Sequence, residues 1–336
     1  MIIFKKKKKV KYKDLINKWL KMKREFVKES TYANYRSIVY NHLIPELGDY
    51  YLKELSNELL QNFIIDKYHE GKKNDFGGLS HKMVKDITSV IKSTIKYGMK
   101  IKMIEFINLE FDYLNENNDH KIRILDKQEQ MMLINYVKNV RTTKSVGLAL
   151  ALYTGLRIGE LCALEWRDID FKRGYLMVTK TIQRIYIKDE KGNRGETKLI
   201  ITEPKTKNAT RIVPLSREFL YFLRKMRKDE DIYILSGKKI PMEPGGFRRY
   251  YYRVLDKLDM RKVNFHTLRH TFASNCIRIG CDYKTVSELL GHSSVNITLN
   301  IYVHAQYSQK KKCINSLYRE LSIENLENHG EYCLRK

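Results

Sequence analysis

Four side chains able to handle a phosphate recur along one short stretch near the C-terminal end. His266-Thr267-Leu268-Arg269-His270 is followed by Leu289-Leu290-Gly291-His292, and then by Ile301-Tyr302. Imidazoles and a guanidinium can hydrogen-bond and neutralise phosphate oxygens, and a phenol beside them can serve as a nucleophile. Transfer of a phosphoryl group needs three things: charge neutralisation at the equatorial oxygens, a nucleophile, and an acid for the leaving oxygen. Arginine suits the first task because its planar fork donates two hydrogen bonds and stays charged. The sequence offers no carboxylate cluster suited to Mg²⁺, so the neutralising cations are expected to be side chains.

Two further segments upstream carry cations of the right kind. Thr154-Gly155-Leu156-Arg157-Ile158-Gly159-Glu160 supplies a second arginine, and Pro204-Lys205-Thr206 supplies a lysine. Taken one at a time, each residue also has an ordinary explanation. Arg157 and Glu160 are three apart and could form a surface ion pair of little consequence. His266 and His292 could be satisfied residues at helix ends, and Lys205 could simply be solvated. Tyr302, one of 23 tyrosines, lies on an apolar spacing that fits a core residue. Their joint occurrence, in this order and on a basic chain, favours the chemical reading.

The elements that must position these groups follow from periodicity and capping. Leu15, Trp19, Met22 and Phe26 recur at helical spacing. Ser30 or Thr31 can cap a second helix bearing Tyr35, Ile38, Val39 and Leu43, stopped by Pro45 and Gly48. Ser56 precedes a third helix with Leu60, Phe63 and Ile64, and Ser80 a fourth with Val84, Ile87, Ile91 and Ile95. Gly71 to Gly78 reads as a loop, and 115–120 lacks any apolar residue and reads as a linker. Beyond it, Asp126 can cap a helix through Leu133 and Val137. The next helix, Val146 to Leu152, is apolar all round and therefore central, and Thr154-Gly155 breaks it. Ile158, Leu161 and Leu164 form a buried stripe. Tyr175 to Ile187, Lys198 to Thr202 and Arg211 to Leu215 read as strands of a small antiparallel sheet, with Arg173-Gly174 as a turn and 188–195 as a hairpin tip. Helices resume at Glu218 to Met226 and at Phe247 to Leu258. Leu268, Phe272 and Ile279 make a further stripe. Asp282 caps a helix that Gly291 ends, presenting His292 just beyond it. Ile314, Leu317, Tyr318 and Leu321 mark a last amphipathic helix.

Composition narrows the partner. The 336 residues carry 64 basic and 39 acidic side chains, a formal charge of +25, and 43% are hydrophobic. The chain is therefore globular and long enough for two domains. Its excess charge repels itself, and a polyanion relieves that cost. Nucleic acid is the expected partner and an anionic membrane surface the rival. No apolar run approaches the roughly 20 residues of a membrane span. Lys5, Lys6, Lys7, Lys8 and Lys9 follow Ile2-Ile3-Phe4 too abruptly for a secretory signal; they read as a frayed end or as a basic arm on phosphates. Five scattered cysteines, none in a CxxC pair, indicate neither a disulfide framework nor a zinc site, and point to a reducing, cytoplasmic compartment.

The combined pattern resembles the tyrosine recombinase, or phage-type integrase, family. The resemblance rests on Thr154-Gly155-Leu156-Arg157-Ile158-Gly159-Glu160, Pro204-Lys205-Thr206, His266-Thr267-Leu268-Arg269-His270, Leu290-Gly291-His292 and Ile301-Tyr302, and spans about 120–305. The long Tyr175 to Thr202 hairpin is most similar to that of integrases from conjugative transposons and related prophages. This resemblance implies that Arg157 and Arg269 clamp the scissile phosphate and that Lys205 protonates the leaving 5′ oxygen. Lys207 is a competing neighbour for that acid role. His266 and His292 would hydrogen-bond the phosphate and assist proton transfer, with His266 the candidate base. Tyr302 would attack phosphorus to give a 3′-phosphotyrosyl link, and Glu160 would orient the arginine region.

It further implies a mainly α fold with a small antiparallel β-sheet, arranged as a clamp on double-stranded DNA. A basic segment (1–10) would precede a helical, SAM-like core-binding domain (11–114). A linker (115–122) would lead to a mixed α/β catalytic domain (123–336) ending in a docking helix. The activity implied is site-specific integration or excision of a mobile element at DNA attachment sites, by a homotetramer assembled on DNA, with no metal or other cofactor. Accessory DNA-bending or excision factors are further candidate partners. Many integrases of this branch carry an additional arm-binding domain ahead of the first helix, where this sequence has only the lysine run; arm sites would be unused or the chain shortened. Two rivals use parts of the same evidence: a type IB topoisomerase shares the chemistry without synapsis, and a non-catalytic DNA-binding regulator explains the charge but not the ordered set.

Overall fold

The computed structural model describes residues 10–71, 77–114, 123–188, 194–203, 210–292, 294–296, 311 and 314–317. The chain divides into two compact units, one of residues 1–120 with 184–198, the other of 121–183 with 199–336.

In the first unit, α1 (Tyr12–Phe26), α2 (Glu29–Ile38), α3 (Ile44–Leu47), α4 (Asn57–Glu70) and α5 (His81–Lys100) surround one core. Tyr12, Leu15, Ile16 and Trp19 of α1 are fully buried with Leu60, Ile64, Ile87 and Ile91. Trp19 keeps its indole N–H satisfied by donating to the Ser93 hydroxyl at 3.1 Å, as a buried polar atom must. Ser56 and Ser80 cap α4 and α5 by accepting from the amides three residues on, the local chemistry that the sequence announces.

Three expectations for this unit need correction. The second helix starts at Glu29, before Ser30 and Thr31, and has no side-chain cap. It runs past Pro45 and stops at Gly48, the other residue expected to end it. A π-helical turn over Val39–Leu43 carries the chain into α3, with the Ile44 amide donating to the Val39 carbonyl and Pro45 in the first turn of α3. There the missing proline N–H costs nothing, so proline reads as a stop in sequence but behaves as a start. Phe26, placed on the apolar stripe of α1, is 77% exposed at the helix end.

The second unit is built round α7 (Thr143–Thr154), which packs against α6 (Lys127–Val140), α8 (Ile158–Cys162), α10 (Pro244–Lys257) and α11 (His266–Arg278). Val146, Leu148 and Leu150 are fully buried, and Gly147 lies where Leu235 and Phe247 come against the helix backbone. Asp126 and Thr142 cap α6 and α7 with reciprocal hydrogen bonds. Further helices of this unit are α9 (Arg217–Arg224) and α12 (Tyr283–Leu290).

The strands form two sheets rather than one. Among the described residues, β1 (Ile169–Asp170), β2 (Tyr175–Val178) and β5 (Arg211–Pro214) make an antiparallel sheet in the order β1-β2-β5, while β3 (Thr181–Lys188) pairs with β4 (Arg194–Thr202). In the first sheet Leu176 faces Val213 and Val178 faces Arg211. All four side chains lie on the buried side, so an arginine occupies a core-facing slot of a strand. Ile279, expected in the α11 stripe, falls after the helix ends at Arg278 and is 72% exposed.

Among the described residues no helix is long and apolar enough to cross a membrane, and no His, Cys, Asp and Glu group could hold a metal ion.

The close packing at Gly147 is testable. A Cβ there would stand 2.2 Å from Leu235 Cδ2 and 2.8 Å from a Phe247 ring carbon. Gly147→Val is expected to lower unfolding stability by about 1–3 kcal/mol through overpacking, read as a lower denaturant midpoint by circular dichroism. An unchanged midpoint would show that this core yields freely.

Candidate active site

The described part of the site is organised by the C-terminal end of α12. Gly291 takes φ +63°, and its amide donates to the Glu288 carbonyl while the His292 amide donates to the Ser287 carbonyl. This is the paired closure that a glycine with positive φ permits at a helix end. It fixes the backbone from which His292 projects. The last carbonyls of the helix then have to find donors elsewhere.

Three arginines supply them. Arg211 donates through Nε to the Leu289 carbonyl at 2.7 Å. Arg269 donates to the Leu290 carbonyl at 2.6 Å and to the Gly155 carbonyl at 2.8 Å. Arg157 reaches the Gly291 carbonyl at 3.3 Å and that of Leu290 at 3.5 Å. Positive charge at a helix C-terminus is favoured by the helix dipole, so the cluster is held where its charges cost least.

Glu160 balances that cluster from below. Its carboxylate is buried and accepts from Arg157 at 2.8 Å and from both terminal nitrogens of Arg211 at 3.2 and 2.9 Å. It also accepts from the Arg157 backbone amide at 2.9 Å, closing the first turn of α8. Burial alone would raise the Glu160 pKa. Hydrogen bonds and charge from Arg211, then the charge and backbone amide of Arg157, hold it below the usual carboxylate value. The Arg157–Glu160 pair is therefore no solvated surface bridge, since Glu160 is only 3% exposed.

Gly155, at φ +62°, ends α7 and turns the chain towards Arg157. His266 and Arg269 come from the first turn of α11, where Asn264 accepts from the Thr267 amide at 3.1 Å. Arg269 is buried and its fork is fixed by carbonyls on two other elements. His266 lies 4.7 Å from His270, ring edge to ring face.

Both site histidines feel these cations. Desolvation of its enclosed side, then the charges of His270, Arg269 and Arg157, lower the His266 pKa to about 4; the residue as a whole is exposed, so solvent screens part of that shift. Burial, then Arg269, Arg157, His266 and Arg211, lower that of His292 to about 4 as well. Desolvation and Arg269 lower His270. Near neutral pH the two site imidazoles are neutral, each with one nitrogen able to accept a proton and one able to donate.

The structure thus gathers Arg157, Glu160, His266, Arg269 and His292, from three segments of sequence, about the end of one helix. Lys205, Tyr302 and Lys5 to Lys9 lie outside the described residues. Arg211 is the participant that the sequence reading passed over. Its signal was present: it alternates with Val213 on the inward face of a strand, where an arginine demands a buried acid.

Known proteins give this arrangement a context. A sequence profile described as "Phage integrase family" matches residues 123–309, and one described as "Phage integrase, N-terminal SAM-like domain" matches 11–68. The chain is 28% identical to a tyrosine recombinase XerC-like protein of Caldanaerobacter subterraneus subsp. tengcongensis, across 90% of this chain and 82% of that protein. It is 25% identical to the ICEBs1 integrase of Bacillus subtilis, across 86% of this chain and 78% of the relative. In fold it is similar to the Tn1549 transposon integrase in complex with transposon right end DNA, with a TM-score of 0.71 at 20% identity over 92% of this chain and 99% of the other. The lambda integrase dimer bound to a core site gives a TM-score of 0.61 at 18% identity, over 89% and 79%.

The histidine environment has a pH signature. Unfolded chains protonate histidine near pH 6.5, whereas His266 and His292 resist it until about 4. Between those values the unfolded state binds protons that the folded state refuses. Their contribution to stability is therefore complete above about pH 6.5 and is lost as pH falls towards about 4. Imidazole resonances of both residues, assigned by His→Gln variants, should titrate with midpoints below about 5; a midpoint near 6.5 for either would contradict this electrostatic picture.

Proposed function

This chain belongs to the phage integrase family of tyrosine recombinases, enzymes that cut and rejoin DNA, and from that premise we propose the role of each residue in the reaction. Arg157 and Arg269 take the non-bridging oxygens of the scissile phosphate. The observation that carries this reading is the convergence of both guanidiniums on the end of α12, from which His292 projects, although Arg157 lies more than a hundred residues from Arg269 in sequence. One neutral imidazole of the pair accepts the phenol proton and the other hydrogen-bonds the phosphate, with His266 the base.

Tyr302 is the nucleophile. Its oxygen bonds to phosphorus, the bond from phosphorus to the 5′ oxygen breaks, and Lys205 delivers a proton to that oxygen. The 3′-phosphotyrosyl link retains the energy of the broken phosphodiester, so rejoining needs no nucleotide. A free phenol has a pKa of about 10, and nearby positive charge favours its phenolate, which makes the arginines useful twice. On this reading the catalytic machinery asks for no metal or other cofactor.

The same reading assigns residues 11–114 as the core-binding domain, 115–122 as linker and 123–336 as the catalytic domain. Double-stranded DNA at an attachment site is the partner, held mostly through phosphates by a chain of +25 charge. Lys5 to Lys9 act as a basic arm. Recombination joins two duplexes, so four protomers assemble on DNA. Ile314 and Leu317, both exposed, support a docking role for the segment after Tyr302. Integration or excision of a mobile element is the biological outcome, with DNA-bending or excision factors as accessory partners, in the cytoplasm.

A nicked suicide substrate carrying the cognate site tests the chemistry. Wild type is expected to form a covalent protein–DNA adduct in the presence of EDTA, and Tyr302→Phe none. An adduct with Tyr302→Phe, or none with wild type, would overturn the assignment.

A further inference from the structure

Arg211 makes no use of its charge at the surface. Its side chain is 5% exposed, and its three donor nitrogens go to the Leu289 carbonyl and to both oxygens of Glu160. These contacts tie the Arg211 guanidinium to the frame of the site. Both of these partners lead to Arg157. Glu160 grips Arg157 by side chain and backbone, and Leu289 precedes the Leu290 and Gly291 carbonyls to which Arg157 donates.

We propose that Arg211 is a positioning residue of the active centre, setting through Glu160 and the end of α12 the direction of the Arg157 fork and the place of His292. The proposal rests on the phosphate-clamp reading given above. A bidentate Arg–carboxylate pair fixes both distance and plane, whereas lysine supplies charge without a plane. The pair also bridges three elements, since Glu160 lies on α8, Leu289 on α12 and Arg211 at the head of β5. That strand follows directly on the segment that contains Lys205, so β5 is tied to the arginine cluster at the residue where it begins.

A purely structural role makes a different forecast. If Arg211 served only to neutralise buried Glu160, Arg211→Lys would restore function, and so would removing both charges together, since buried pairs are often replaceable by neutral groups without loss of stability. Positioning predicts that neither change restores it, because neither rebuilds the fork.

The experiment compares wild type, Arg211→Lys and the double variant Glu160→Gln/Arg211→Met. For each, the dissociation constant for the cognate site is measured, then the rate of adduct formation by the isolated DNA-bound complex, so that unfolded protein does not count. Both variants are expected to bind within about threefold of wild type and to form adduct about a hundredfold more slowly, the scale of loss from small misplacement of a reacting group. Adduct formation within about threefold of wild type by either bound variant would overturn the proposal. Failure of both to fold would overturn it too, since Arg211 would then serve stability. Absence of adduct in wild type would remove the functional reading, and this proposal with it.

Discussion

The buried carboxylate of Glu160 is the constraint on which the site depends. An isolated carboxylate out of water costs several kcal/mol even after relaxation, so this one exists only because two guanidiniums close on it. The debt runs both ways. Arg157, Arg211 and Arg269 would repel one another if brought together alone. Glu160 and the carbonyl end of α12 together let them share one small volume. The helix end gives partial negative charge at three successive carbonyls, and the carboxylate gives a full one.

A concentration of fixed positive charge follows, aimed by a rigid frame. Arg269 is held by carbonyls from two separate elements. Arg157 is held more loosely, with 39% of its side chain exposed and its carbonyl contacts long. On the proposed reading it turns one edge of its fork to an incoming phosphate while Glu160 keeps the other. Burial first, and then the same field, lowers both histidines and keeps them neutral near pH 7, the form that can accept a proton. On the proposed reading, the charge that binds the phosphate also helps to tune the base.

Much of this was legible in the sequence because it was local. Ser56, Ser80, Asp126 and Asp282 cap the helices they precede, and Gly155 and Gly291 end α7 and α12, since capping and left-handed closure involve only residues within one turn. Arg157, Glu160, His266, Arg269 and His292 stood out by type and spacing, and the structure brings them together. What escaped was non-local or depended on exact ends. The Arg211–Glu160 pair joins positions 51 apart, and nothing near Arg211 in sequence names its partner. The split into two sheets turns on β5 choosing β2 over β4, a tertiary choice that strand propensity does not encode. Ile279 and Phe26 fit an apolar period but lie at helix ends, where the period no longer dictates burial. Pro45 misled because a π-helical turn just before it converts an interior position into a first turn.

The central claim is that the arginine cluster works by neutralising charge on the phosphate. It is tested most directly by changing that charge in the DNA instead of the protein. A methylphosphonate at the scissile position removes the negative charge that Arg157 is said to balance. On ordinary DNA, Arg157→Ala should form adduct about 10²–10³ times more slowly than wild type. On the neutral substrate the two proteins should agree to within about tenfold. An equal loss on both substrates would mean that Arg157 serves the architecture of the site and not the charge of its substrate.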